Sequence, residues 1–238
     1  VISINNKIVL FNYKQQNKIF IMSYPEFLIF DFDGVIINNT PHGFEMVNKA
    51  LADLGICPAP KDFLRQQWGK KFGDLLPRLC EFMGLGNDEL TYLRKRVREL
   101  DEVSDDYTKT ILNHDLVRTI GLLRQFGFYT GLITNRNREQ LCRGCDEIGL
   151  DLNVFNYVQT TTDWPFLKPA AEVFQPLVSL IKELKGFDVP DSIVGTNIVY
   201  FGDTINTDYQ AVQNARDDFG QIKFIGVCSG VNTFEEFR

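Results

Sequence analysis

Several protein classes are excluded by what this 238-residue sequence lacks. No apolar run approaches the roughly 20 residues needed to cross a bilayer as a helix. Histidine is scarce, with only His42 and His114, and Cys142-x-x-Cys145 has no second ligand pair. That leaves a zinc site without ligands, so the two thiols read as neighbours one turn apart on a helix. Five cysteines in a chain of this size do not make a disulfide scaffold, and the expected home is the reducing cytoplasm. Basic excess is absent too. The net charge of −6 and a pI near 5.0 argue against nucleic acid as a partner. There is no internal repeat and no low-complexity tract. The charge-dense stretch 93–106 alternates both signs at helical spacing, as a solvated helix face does.

The first 24 residues carry Lys7, Lys14 and Lys18 and no acid. Asn5-Asn6 could turn a small hairpin there. The run Ile8 to Phe11 is too short for a secretory signal, and no small-residue cleavage site follows it. Met22 is the expected natural start, with residues 1–21 upstream of it; residues 1–24 are expected to form an N-terminal extension, non-native or a hairpin.

What is present begins with FLIFDFDGVIINN at 27–39. Four apolar residues deliver Asp31 and Asp33, followed at once by Gly34. Such a run reads as a buried strand of an α/β sheet, whose ligand crevice lies beyond the carboxyl ends of its strands. Further short apolar segments at 128–133, 155–159, 197–202 and 222–227 complete a strand set with 27–31. Helical stripes at 116–126, 170–184 and 208–215 alternate with them, which predicts a doubly wound parallel sheet, Rossmann-like in form. The interval 41–113 breaks the alternation. It carries no strand signal, and helices are expected over 42–54, 74–83 and 88–106. The predicted layout is therefore a core of 25–40 plus 114–238 with a helical insert at 41–113.

Three later segments place polar residues at strand ends. Thr134 and Asn135 close LITN, Lys168-Pro169 opens a helical segment, and Asp203 and Asp208 belong to YFGDTINTD at 200–208. Thr134 and Asp208 could each also serve as a helix N-cap. Taken in order with DFDG, the four segments resemble the motifs of the haloacid dehalogenase-like superfamily, from about Phe27 to Val231. The DGV turn with Asn38 and Thr40 is similar to its phosphoglycolate phosphatase and β-phosphoglucomutase branch. The resemblance implies that 41–113 is a C1-type cap closing over the site. The 33 residues between Thr134 and Lys168 are too few for the other common cap position.

The chemistry follows from the residue types. Asp31 is the candidate nucleophile, attacking phosphorus to form an aspartyl-phosphate. Asp33 is the candidate acid/base for the leaving oxygen and then for water. Side chains two apart on a strand point to opposite faces unless the chain turns, and Gly34 allows that turn. Three converging carboxylates need a hard cation, and Mg²⁺ suits them. The resemblance implies that Asp31 and Asp203 bind it directly, Asp33 through its backbone carbonyl, and Asp208 through water or from behind. Gly34, Thr134, Asn135 and Lys168 are the expected phosphoryl-binding set, although this chain has Leu167 where the family commonly has glycine. Arg65, Lys70 and Lys71 of the insert, with His42, are candidates for contact with the rest of the substrate. The expected activity is hydrolysis of a small phosphorylated metabolite, with a phosphomutase as the alternative and a non-catalytic phosphate-binding regulator as the third option. A monomer or homodimer is expected, with no nucleic-acid or membrane partner.

Overall fold

The computed structural model describes residues 26–68, 72–103, 111–185 and 190–238. The N-terminal hairpin expected around Asn5-Asn6 and the proposed start at Met22 lie outside them.

The apolar run Phe27–Phe30 forms β1, at the centre of a five-stranded sheet. The other strands are β4 (Tyr129–Ile133), β5 (Tyr157–Gln159), β6 (Ile198–Gly202) and β7 (Lys223–Gly226). Their order is β5-β4-β1-β6-β7 and every pairing is parallel. Alternation sets which face each residue serves. Phe27 and Ile29 pack with Phe174, Leu177, Ile181 and Val212 on one face. Leu28 and Phe30 pack with Ile120, Leu132 and Leu141 on the other. Helices α5 (His114–Gln125) and α6 (Arg138–Ile148) cover the second face; α7 (Gln175–Lys185), α8 (Asp191–Val194), α9 (Gln210–Asn214) and α10 (Arg216–Phe219) lie against the first. Burial of β1 on both faces explains its unbroken apolar sequence.

The chain leaves β1 toward β4 on one side and later returns to β6 on the other. The ends of β1, β4 and β6 therefore border the crevice that such a reversal of strand order creates.

Between β1 and β4 lie α1 (Thr40–Asp53), α2 (Lys61–Gln67), α3 (Phe72–Met83) and α4 (Asn87–Val103). They close around a cluster of their own, with Val47, Leu51, Leu64, Leu75, Leu79 and Leu93 at its centre. Two features here carried no signal in the sequence: a two-residue antiparallel ladder joins β2 (Ile37–Asn38) to β3 (Ile111–Leu112). The Asn113 amide donates to Ile36 O at 2.9 Å beside it. Both chain crossings into the helical insert thus run side by side. A short helix, α11 (Phe234–Phe237), ends the chain; Thr233 caps it reciprocally with Glu236.

Candidate active site

The chain departs from strand geometry directly after Asp31. Phe32 O accepts from the amides of Ile36 and Ile37, and Gly34 N donates to Ile37 O at 2.6 Å. Gly34 has φ of 76°, and a Cβ there would fall 2.1 Å from Asp203 Oδ2. Glycine is thus required twice, for the backbone conformation and for the approach of Asp203. The turn expected at Phe32–Asp33 is present, and it brings Asp31 and Asp33 to the same cavity.

Asp31 is buried, and its Oδ1 lies 2.7 Å from Lys168 Nζ. The same ammonium donates to Asp208 Oδ1 at 2.7 Å and to Tyr200 Oη at 2.9 Å. Asp208 is fully enclosed. Its Oδ2 accepts from the amides of Asp203 and Thr204 and from Thr204 Oγ1, while Tyr200 donates to Oδ1. Both oxygens of Asp208 are therefore engaged, which makes it a brace behind Lys168. The N-cap reading of Asp208 is corrected: Thr204 caps this turn, and Asp208 sits inside the helical turn Ile205–Tyr209. Thr134 is not an N-cap either, because Asn137 caps α6 in a reciprocal pair with Gln140. The buried Thr134 hydroxyl accepts from the Arg136 amide.

Asn135 ties the end of β4 to the Lys168 loop. Its Nδ2 donates to Lys168 O at 3.1 Å and its Oδ1 accepts from Lys168 N at 2.9 Å. The Lys168–Pro169 peptide is cis, and a 3-10 turn at Ala171–Phe174 leads from it into α7. The Asp33 carboxylate is clamped by two partners. Arg136 Nε and Nη2 lie 3.0 and 2.8 Å from its oxygens, and Asn39 Nδ2 lies 2.7 Å away. Sequence reading missed both partners. Adjacency to Thr134-Asn135 was the only signal for Arg136, and nothing local pairs it with a residue 103 positions away.

Electrostatics at the centre are strained by burial. Desolvation pushes the Asp31 carboxyl up to about 7; Lys168 opposes the rise, while Asp208 and Asp33 add to it. Burial likewise raises Asp203 well above the ordinary carboxylate range, reinforced by Asp208 and Asp31. Burial alone would depress Lys168, but Asp208 and Asp31 outweigh it and keep the amine protonated. Carboxylate oxygens of Asp31, Asp203 and Asp208 lie within 4.8 Å of one another. One ammonium does not neutralise that cluster. A divalent cation with a taste for oxygen fits it, with Asp31 and Asp203 the members whose oxygens are not all spoken for.

The cavity above these groups has a volume of about 40 Å³. Room for one water takes about 10–15 Å³ on the same measure, so the space suits a group the size of a few waters. Asp31, Asp33, Asn135, Lys168, Asp203, Thr204 and Thr207 line it from the core, and Trp68 lines it from the insert. The Trp68 indole stands edge-on to Phe44, and a Cβ on Gly43 would fall 1.8 Å from it. Of the residues expected to meet the substrate's far end, Lys70 and Lys71 lie outside the described residues. His42 is half-buried in the first turn of α1 and does not line the cavity. Arg65 does not line the cavity; its guanidinium turns to Val231 O and to Glu236.

A parallel sheet with acids and a polar amide at its strand ends, a lysine brought to them by a loop, and a helical insert beside them define a doubly wound α/β protein with its cavity at the topological switch point. The family model described as "Haloacid dehalogenase-like hydrolase" matches residues 28–227, and the chain belongs to that family. Among curated proteins, it is similar to a phosphoglycolate phosphatase of Psychrobacter arcticus, 27% identical over 220 residues, covering 90% of this chain and 87% of the relative. Among solved structures, it resembles one titled a predicted phosphoglycolate phosphatase from Haemophilus somnus. That match has a TM-score of 0.67 and 20% identity, over 89% of this chain and 90% of that one. A structure from Lactobacillus delbrueckii subsp. bulgaricus, titled as a candidate phosphoglycolate phosphatase, matches with a TM-score of 0.68 and 18% identity, over 89% and 90% of the two chains. At these identities the structural likeness speaks to the fold. Among the described residues, no helix is long and apolar enough to cross a membrane.

Proposed function

We propose that this chain is a Mg²⁺-dependent phosphatase that hydrolyses a small, anionic phosphomonoester of the phosphoglycolate class through an aspartyl-phosphate. The observation that carries the reading is the buried Asp31 carboxylate, 2.7 Å from the Lys168 ammonium, in a cavity of phosphoryl size. The name of the Psychrobacter relative supports the substrate class.

In this reading residues 41–113 are the cap over a core formed by 25–40 and 114–238. Asp31 Oδ attacks phosphorus as the bond to the leaving oxygen breaks. Asp33 gives that oxygen its proton. Asp33 then takes a proton from water as the water oxygen bonds to phosphorus, and Asp31 is released with inorganic phosphate. Lys168 offsets charge on the phosphoryl oxygens and orients Asp31. Asn135 fixes Lys168 through its backbone, Asp208 and Tyr200 brace the ammonium from behind, and Arg136 with Asn39 sets the direction of Asp33. Asp31, Asp203 and the Asp33 backbone carbonyl would hold Mg²⁺, which when bound neutralises the acids and polarises phosphoryl oxygen. Trp68 bounds the space left for the leaving group.

The test is phosphate release from p-nitrophenyl phosphate and a panel of small phosphomonoesters that includes 2-phosphoglycolate, with and without Mg²⁺. Metal-dependent release is the expected result. Transfer of the phosphoryl group between sugar hydroxyls would favour the mutase alternative, and binding without turnover would favour the regulatory one.

A further inference from the structure

Arg65 belongs to the insert, yet its guanidinium bonds to the core. Nη2 and Nε donate to Val231 O at 3.0 and 3.3 Å, and Nη2 also meets Glu236 Oε2 at 3.1 Å. Val231 is itself buried, and its own amide donates to Asp203 Oδ2 at 3.0 Å. One residue therefore separates the insert from a carboxylate of the acidic cluster. We propose that Arg65 is a positioning residue that couples docking of the helical insert to the setting of the Asp203 carboxylate, so that covering the site and completing its cation-binding set are one event. The inference rests on the Mg²⁺ reading above and adds to it a residue whose guanidinium is bonded to the core backbone and does not line the cavity.

The loop around Val231 has the form such coupling needs. Asp203 Oδ2 sits between two glycines: a Cβ on Gly34 would lie 2.1 Å from it and a Cβ on Gly230 would lie 1.8 Å away. Ser229 Oγ bonds Gly34 O at 2.6 Å, and Asn232 Oδ1 accepts from Ile205 N. The loop 229–232 is thus a wall of the acidic cluster, and the Val231 carbonyl is the point at which the insert holds that wall. Nearby, Asn206 Nδ2 donates to Gln66 O, a second tie between the end of α2 and the core. Trp68, three residues beyond Arg65, enters the cavity. Withdrawal of α2 would release the wall and the cavity lining together.

The exposed ion pair with Glu236 is the weaker part of the contact. The two side chains are 29% and 44% exposed, and pairs of that kind contribute little. The bonds to Val231 O are the ones that can be felt at Asp203. Groups that orient a metal ligand from behind change affinity by about 10–100-fold when removed. Arg65 acts one residue further out, so a smaller factor is expected. Linkage is reciprocal, so a cation bound by Asp203 favours the docked insert to the same degree.

The experiment is calorimetric titration of Mg²⁺ into the full chain without substrate, for wild type, Arg65→Ala, Arg65→Lys and Glu236→Gln. Urea midpoints confirm that each variant is folded. Arg65→Ala is expected to weaken Mg²⁺ binding by about 3- to 10-fold, below the range for direct supporters of a ligand. Arg65→Lys, which keeps one donor for Val231 O, should fall between, and Glu236→Gln should change affinity less than about twofold. Wild-type affinity in Arg65→Ala would overturn the coupling while leaving the metal reading intact. So would an equal loss in Glu236→Gln, because the surface charge would then be the cause. No Mg²⁺ binding by the wild-type chain would overturn the metal reading itself.

Discussion

The core and the helical insert solve the same packing problem in opposite ways. The core draws its sheet from segments far apart in the chain: β1 pairs with β4, about 100 residues on, and with β6, about 170 residues on. Asp31, Thr134, Asn135 and Asp203 sit just past strand ends, so sheet register fixes them. The insert is contiguous, closes around its own leucine-rich cluster, and reaches the site through side chains such as Trp68. The difference teaches that chemistry here depends on register, whereas coverage depends on how one packed unit sits on another. A change in the core should therefore alter catalysis outright, and a change in the insert should tune it.

The largest effect should come from the core. Asp31→Asn is expected to lower phosphate release by roughly 10⁴-fold or more, as removal of a nucleophile does. Appreciable residual turnover would mean that the site works without covalent attack. Lys168→Met should be next. It leaves Asp31 and Asp208 without their buried counter-charge, an expected loss of about 3–5 kcal/mol in urea unfolding. Saturating Mg²⁺ should restore part of that loss, since it binds the folded state alone. An unchanged midpoint would break the picture of a charge-balanced core.

Within the insert, Leu79→Ala should cost about 2–4 kcal/mol, by cavity formation in a cluster where Leu79 is fully buried. If the insert is a separate unit, the loss should be local. The buried thiol of Cys80 should then react sooner with an alkylating reagent while Cys145 stays protected. Burial pushes the Cys145 thiol up to about 12, which keeps it unreactive near neutral pH. Simultaneous labelling of both would show that insert and core unfold together. The smallest effect expected is that of Gly43→Ala. Its methyl group would displace the Trp68 ring, and turnover should fall about tenfold, matching Trp68→Ala. A normal rate in both variants would remove Trp68 from the cavity's function.

Legibility in the sequence follows the same division. Asp31, Asp33, Thr134, Asn135 and Asp203 stand out as candidates because each lies at or just past the end of a short apolar strand, which is a local pattern, whereas Lys168 and Asp208 stand out only through the order of the four segments. The five strands of the sheet were readable for the same reason, to within one or two residues. Arg136 on Asp33 and Arg65 on Val231 were not readable, since each joins residues more than 100 positions apart. The ladder between β2 and β3 was missed because two-residue strands carry no period. Basic residues near a glycine suggest anion binding by Arg65, and no local pattern announces that its guanidinium bonds the Val231 carbonyl. The N-cap alternatives for Thr134 and Asp208 failed by three or four residues, the distance by which the real caps, Asn137 and Thr204, stand from them.

The wall at 229–232 also has a consequence in time. Synthesis runs from the N-terminus at about 5–20 residues per second, so β1 waits roughly ten to thirty seconds for β6 to be made. The insert needs no such wait, because its four helices emerge one after another. Gly230 and Val231, which enclose Asp203, come later than every strand of the sheet. A nascent chain would therefore carry a helical unit complete in its own contacts well before it could carry out any chemistry. Ribosomes paused anywhere before residue 231 would hold a chain that still lacks the wall beside Asp203, however much of its sheet had formed.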